Sequence, residues 1–277
     1  VGRAQNGAVK YAYLGPAGTF TEAALRTFAG DGDELVPCRS VPEALEVVRL
    51  GTADAALVPV ENSVGGGVDV TLDELVAGSP LEIIREVLIP VTFVFVGDEA
   101  PDRVGAHPQA SAQCRRWLAK HHPDAVVVDM LSNAAAALSV RSGEIPAAIT
   151  SPIAAQQLGL TPVHSDIGDQ AATTRFVLVA PPGTGPGATG NDLTTLAVYI
   201  AHDQVGALLQ VLTELASRGV NLTRIESRPT GEALGRYVFF LDCEGHISDR
   251  PIAEAFGALE RFCAKVTFLG SYVSGGR

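Results

Sequence analysis

A hydroxyl, a fixed cation and an aromatic ring stand side by side at Thr174-Arg175-Phe176, where a half-polar run from Ser165 gives way to the apolar stretch Val177-Leu178-Val179-Ala180. Such a trio offers a hydrogen-bonding group, a fixed cation and an apolar ring, and it equally fits a polar strand entry with a core phenylalanine. A second polar cluster, Glu61-Asn62-Ser63, follows the apolar run 53–60 and precedes Val64-Gly65-Gly66-Gly67. In open α/β sheets the ends of strands are where ligands bind. Three glycines could cradle a phosphate, but the lysine and spacing of a P-loop are missing, which argues against a nucleotide. Gly15-Pro16-Ala17-Gly18-Thr19 joins a strand to a helix. Free amides at a helix start attract a carboxylate, although a tight turn and the capping box Thr19-x-x-Glu22 account for the same residues. In His107-Pro108-Gln109-Ala110-Ser111-Ala112-Gln113-Cys114, Ser111 reads as a helix cap. On residue types alone, each cluster also fits ordinary capping or loop composition.

Four motifs in order change that balance: Tyr13-Leu14-Gly15-Pro16-Ala17-Gly18-Thr19-Phe20-Thr21-Glu22, Val60-Glu61-Asn62-Ser63, Thr174-Arg175-Phe176 and Glu226-Ser227-Arg228-Pro229. From about residue 9 to about 274 the chain resembles the prephenate dehydratase family with a C-terminal ACT regulatory domain. The resemblance implies loss of carbon dioxide and hydroxide from prephenate, giving phenylpyruvate for L-phenylalanine biosynthesis. Aromatisation drives that reaction, so neither cofactor nor metal is expected. Thr174 is implied as the catalytic donor to the leaving oxygen. A threonine hydroxyl is a poor acid near neutrality, which favours a directed hydrogen bond, with Glu61 or a water as the ultimate proton source. Thr19, Asn62, Ser63, Ser111, Gln113, Arg175 and Phe176 are the implied substrate contacts, Arg175 as a carboxylate partner. One departure concerns the asparagine usual shortly before the threonine motif: Ala171-Ala172-Thr173 stands there. That leaves prephenate against arogenate open, and a two-lobed binding module fused to an amino-acid sensor is a non-enzymatic alternative.

Gly206-Ala207-Leu208-Leu209 and Glu226-Ser227-Arg228, with Asn221-Leu222 between them, resemble the family's two phenylalanine-binding motifs. They imply an L-phenylalanine site between paired ACT domains, and hence a homodimer or homotetramer.

These residues need a scaffold, and the chain supplies alternating strand-like and helix-like runs. Strands read over 10–14, 55–59, 81–87, 90–96, 126–128, 147–150 and 176–180. Helices read over 21–29, 42–50, 72–77, 111–121, 133–141 and 152–158. Such alternation indicates α/β architecture with mainly parallel strands. The family's version is a two-lobed catalytic domain of periplasmic-binding-protein type. Thr19-x-x-Glu22, Ser40-x-x-Glu43 and Thr71-x-x-Glu74 fit capping boxes, and Ser151-Pro152 an N-cap with proline following. Residues 181–190, rich in Pro and Gly, read as a flexible tether crossed by few contacts. Beyond it a strand (193–200), a helix (206–218), two strands (222–228, 237–243) around the turn 231–235, a helix (252–262) and a strand (266–272) give the βαββαβ order of ferredoxin-like folds. The expected division is a catalytic domain 1–180, a linker 181–192 and an ACT domain 193–277.

Composition narrows the function classes. With 277 residues and 47% hydrophobic content the chain can bury two cores. A net charge of −11 argues against nucleic-acid and anionic-membrane partners. No apolar run approaches the roughly 20 residues of a membrane helix, and the start lacks a signal-peptide core, so cytoplasm is the default expectation. The four cysteines show no C-x-x-C spacing, and neighbouring His121 and His122 point in different directions on a helix, so neither a disulfide framework nor a metal site is suggested.

Overall fold

The computed structural model describes residues 7–200, 205–231 and 235–276. The first lobe contains β1 (Lys10–Leu14), α1 (Phe20–Arg26), β2 (Glu34–Cys38), α2 (Val41–Arg49), β3 (Ala55–Asn62), β4 (Gly66–Gly67), α3 (Asp69–Val76) and β5 (Glu82–Val91). The chain then crosses to a second lobe of β6 (Val94–Gly97), β7 (Arg103–Ala106), α4 (Pro108–Gln113), α5 (Arg115–His121), β8 (Val126–Asp129), α6 (Asn133–Arg141), β9 (Ala147–Thr150), α7 (Pro152–Gln157) and β10 (Pro162–Ser165). It returns as β11 (Ala172–Ala180), which inserts between β3 and β5. The sheet orders are β2-β1-β3-β11-β5, with β4 on β3, and β10-β6-β9-β7-β8. Two α/β lobes joined by two crossovers place a cleft between them.

The continuous run of β5 to Val91 shows where the sequence reading misplaced a boundary. The break falls at 92–93, because β5 and β6 belong to different sheets. The sequence pattern announces none of β2, β4, β7 and β10. The helix expected over 111–121 is two short helices, interrupted at Cys114 (φ −113, ψ 14). Caps are mostly as the sequence indicates: Thr19, Ser40 and Ser151 accept from the amides of Glu22, Glu43 and Ala154. Thr71 differs, since it lies inside α3 and donates to the Pro59 carbonyl at 2.6 Å.

The third sheet contains β12 (Asp192–Tyr199), β13 (Leu222–Pro229), β14 (Tyr237–Glu244) and β15 (Lys265–Val273), ordered β13-β14-β12-β15 and antiparallel. Helices α8 (Ala207–Ala216) and α9 (Arg250–Phe262) close the βαββαβ unit. The middle of the expected 231–235 turn lies outside the described residues. The helices share one core with Leu196, Val198, Leu241 and Cys243.

The opposite face of this sheet is not free, which overturns the expectation of a loosely crossed tether. Ala197, Val238, Phe240, Leu269 and Tyr272 belong to one buried cluster with Ile83, Val177, Val179 and Val60 of the first lobe. A β-carbon at Gly270 (φ 134) would collide with the Ile83 backbone, so glycine lets β15 lie directly on β5. The segment 181–190 is itself fastened: the Gly183 amide donates to Glu82, the Pro186 carbonyl meets His246, and Thr189 bonds Asp192.

Candidate active site

A cleft of about 780 Å³ opens between the two lobes. The first lobe contributes Gly15, Pro16, Thr19, Phe20, Pro37, Cys38, Arg39, Thr174 and Phe176 to it, and the second contributes His107, Gln109, Leu131, Ser132, Asn133 and Ala135. Antiparallel pairing of β11 with β3 sets Thr174 opposite Asn62. The Asn62 Oδ1 accepts from the amides of Val64 (2.9 Å) and Gly65 (2.8 Å), which fixes the orientation of its amide. Its Nδ2 therefore donates to the Thr174 hydroxyl, at 2.8 Å. With its oxygen occupied as an acceptor, Thr174 can direct its own proton elsewhere. Ser63 braces the same strand pair: its hydroxyl accepts from the Thr173 amide and its amide donates to the Thr173 carbonyl, both at 2.9 Å.

Of the residues named from the sequence, Thr19, Thr174 and Phe176 line the cleft, and Asn62 and Ser63 act on the Thr174 strand. Thr19 caps α1 while its hydroxyl donates to the Leu14 carbonyl. Ser111 lies inside α4 and donates to the Pro108 carbonyl at 3.0 Å, and His107 is the cap. Gln113 meets Asp169 through its carbonyl. Neither Ser111 nor Gln113 is among the cleft-lining residues.

Two charged residues are placed elsewhere than expected. The Arg175 side chain is only 5% exposed and faces the third sheet, with Nε donating to Glu86 (2.6 Å), Nη1 to Asp242 (2.5 Å) and Nη2 to the Tyr272 hydroxyl (2.8 Å). Alternation along a strand sends neighbours to opposite faces, so Thr174 and Arg175 cannot both enter the cleft. Burial opposes the charge on Arg175, but Asp242, Tyr272 and Glu86 outweigh it and hold the pKa above the ordinary guanidinium value. Glu61 follows the same alternation: its carboxylate lies 3.5 Å from Arg224 and 3.9 Å from Arg175, outside the cleft lining.

The structure adds residues that sequence reasoning missed. Arg39 is the cation that lines the cleft, and its side chain is 93% exposed with one flank held by Glu43. Ser132 caps α6 and Asn133 begins it at the cleft wall, where Asn133 Oδ1 is buried without a hydrogen-bond partner among the described residues. His107 Nδ1 accepts from the Gln109 amide, so the neutral ring carries its proton on Nε2. Burial holds its pKa below the ordinary imidazole value despite Asp129 nearby. Cys114, pushed up to about 12 by burial and by Asp169, is a protonated thiol and no nucleophile.

In the third sheet, Gly206 caps α8 with φ 82, Ala207 is buried, Leu208 is half-buried and Leu209 is exposed. The Asn221 carbonyl accepts from Glu244, and Leu222 packs on the core. Ser227 is exposed. Glu226 pairs with Arg224 and rests over Gly67, where a β-carbon would displace its carboxylate. Arg228 reaches Asp69 and Asp73 on α3, at 2.5 and 2.8 Å. The Glu226–Arg228 segment is thus docked against the loop and helix that follow Asn62.

Residues 11–184 match the family model of prephenate dehydratase, and residues 194–261 match that of the ACT domain. The prephenate dehydratase of Amycolatopsis methanolica is 48% identical over 268 residues, 95% of this chain and 88% of the relative. The solved prephenate dehydratase of Arthrobacter aurescens in complex with L-Phe is 47% identical, with a TM-score of 0.90 over 96% of this chain and 90% of that one. A solved quorum-quenching acylase, GqqA, is 30% identical with a TM-score of 0.83 over 96% and 98% of the two chains. The interlobe cleft, its threonine held by an asparagine, and this extent of identity lead to one conclusion: the chain belongs to the prephenate dehydratase family, with an ACT domain at its C-terminal end.

Proposed function

We propose that the cleft binds prephenate, with Thr174 as the donor to the departing hydroxyl and Asn62 as the group that aims it. The observation that carries this is the Asn62 to Thr174 hydrogen bond at the cleft. As the carboxylate leaves as carbon dioxide, its bonding electrons move into the ring and expel the oxygen at the far end. Charge grows on that oxygen, and a fixed donor stabilises the transition state more than the ground state. Arg39 and the amide end of α6 at Ser132 and Asn133, which line the cleft where Arg175 does not, serve as the carboxylate partners. Glu61 is paired with Arg224 and lies outside the cleft lining, which favours water as the proton source.

Residues 1–180 are read as the dehydratase domain, 181–192 as the linker and 193–277 as the ACT domain. L-Phenylalanine is read as the effector, at Gly206–Leu209, Asn221, Leu222 and Glu226–Arg228 of paired ACT domains in a homodimer or homotetramer. The Arthrobacter aurescens structure with L-Phe supports that reading. Four free cysteines suit a cytoplasmic setting. The test is a stopped assay of phenylpyruvate from prephenate, and of phenylalanine from arogenate, each with and without L-phenylalanine. Turnover of prephenate that L-phenylalanine suppresses is expected. Preferred turnover of arogenate would reassign the substrate, and no turnover of either would leave a binding module.

A further inference from the structure

Each half of the Asn62–Thr174 pair is followed or preceded in the chain by a residue that reaches into the ACT domain. Glu61 meets Arg224 on β13, and Arg175 meets Asp242 on β14 and Tyr272 on β15. The Arg175 cluster is closed and buried. Asp242 uses its second oxygen to accept from Thr195, and the Thr195 hydroxyl also meets that of Tyr272 at 2.6 Å. Asp242 is 1% exposed and Tyr272 is fully buried.

The strand register gives this cluster a purpose. Arg175 stands opposite Glu61, but Phe176 stands opposite Pro59, so the β11–β3 ladder skips Val60 immediately beside the reacting pair. Bulges of this kind re-aim a side chain and locally disrupt the ladder. The interruption is on one side only: β11 pairs with β5 without a break from Ala172 to Leu178, so the ladder sets the height of Thr174 and leaves the β3 side, which holds Asn62, less firmly tied. Next to that interruption, a guanidinium ligated through all three nitrogens braces β11, and two of its ligands belong to the ACT domain.

We propose that Asp242 and Tyr272 are positioning residues that act through Arg175 to hold Thr174 against Asn62, so that the ACT domain forms part of the support of the active site. The inference rests on the assignment of Thr174 as the leaving-group donor. It gives a direct physical route by which a displacement of β14 and β15 would alter turnover without touching substrate.

The experiment is a double-mutant cycle on the full-length protein. Asp242→Asn and Tyr272→Phe are each made in the wild-type and Thr174→Ala backgrounds, and kcat, KM and Tm are measured for prephenate. Both single variants should lower kcat about tenfold with KM within about twofold, because a small misplacement of a donor costs turnover more than binding. Neither should lower the residual turnover of Thr174→Ala any further. An equal fractional loss in both backgrounds, or kcat within about twofold of wild type in a folded variant, would overturn the proposal. Tyr272→Phe keeps the ring and decides the matter if Asp242→Asn does not fold. Undiminished kcat in Thr174→Ala alone would instead remove the reading on which the proposal rests.

Discussion

The Asn62 side chain donates to the Thr174 hydroxyl at 2.8 Å across 112 positions of sequence, and it does so with its own carbonyl oxygen locked by two backbone amides of the following turn. The bond therefore has a fixed direction. Thr174 accepts from Asn62 and is left as a donor toward the cleft. A weak acid becomes useful here through aim, since its proton need not be transferred fully for the developing oxyanion to be stabilised.

Thr174→Ala should lower kcat by about a hundred- to a thousand-fold, the usual loss for one preorganised donor. KM should change much less, because the interaction strengthens as charge develops on the oxygen. Thr174→Ser, which keeps the hydroxyl, should recover most of the loss. Steady-state kinetics on prephenate decide, and an alanine variant with more than about a tenth of wild-type turnover would show that the donor lies elsewhere.

Arg39→Ala should raise KM about tenfold and leave kcat within about twofold, as expected when a partly solvated charge-assisted bond to a carboxylate is removed from ground and transition states alike. An unchanged KM would leave the α6 amides as the main anion site.

Why the sequence points to Arg175 and passes over Arg39, which lines the cleft, follows from what a sequence carries. The periodicity of 10–14, 55–59 and 147–150 and the βαββαβ order after residue 192 are local, and the folded elements match them. Strand β2, Glu34–Cys38, contains a proline and alternates poorly between buried and exposed positions, so no local signal announces it or the cleft position of the Arg39 that follows. The partners of Arg175 lie at 86, 242 and 272, on three strands whose pairing no short-range pattern specifies. Strand alternation was the one available clue. Two adjacent residues of β11 face opposite sides, so the hydroxyl and the cation of one motif could not share a cleft.

A fragment ending at residue 182 should be much less stable than the intact chain. It would uncover Ile83, Val177 and Val179 and strip Arg175 of Asp242 and Tyr272. Exposing a fully buried Val or Ile side chain costs about 1.5–3 kcal/mol, so the three together are comparable with the whole stability of many domains. Soluble expression with a cooperative thermal transition near that of the full chain would show that the shared core contributes little.

His122 should make the protein acid-sensitive. Burial first, then His121 and His164, hold its pKa below the ordinary 6.5. Its ring stacks on Phe95 at 4.5 Å between centroids, with Nε2 buried and unpartnered among the described residues. Below 6.5 the unfolded chain takes up more protons than the folded one, so the stability present above that value is lost as pH falls through the window beneath it. Tm should drop more between about pH 7 and about pH 5 in wild type than in His122→Phe. Parallel Tm profiles for the two proteins would exclude His122 as the source.

L-Phenylalanine should bind the ACT domain and weaken substrate binding through the docked Glu226–Arg228 segment. Arg228 holds Asp69 and Asp73, and Glu226 rests over Gly67, in the loop that leaves Asn62. An effector that engages Glu226 must compete with, or reorganise, contacts that already steady one side of the active site. Its influence comes from differential affinity for two arrangements of the domains, worth about 1–3 kcal/mol for typical couplings. Linkage then requires a substrate analogue to weaken phenylalanine binding by the same factor that phenylalanine weakens the analogue. Calorimetric titration of phenylalanine into wild type and Glu226→Ala, each with and without the analogue, measures both quantities. Weaker binding and a smaller coupling are expected for Glu226→Ala. Equal affinities in all four titrations would rule out this effector site, and competition abolished by Thr174→Ala would place phenylalanine in the catalytic cleft instead.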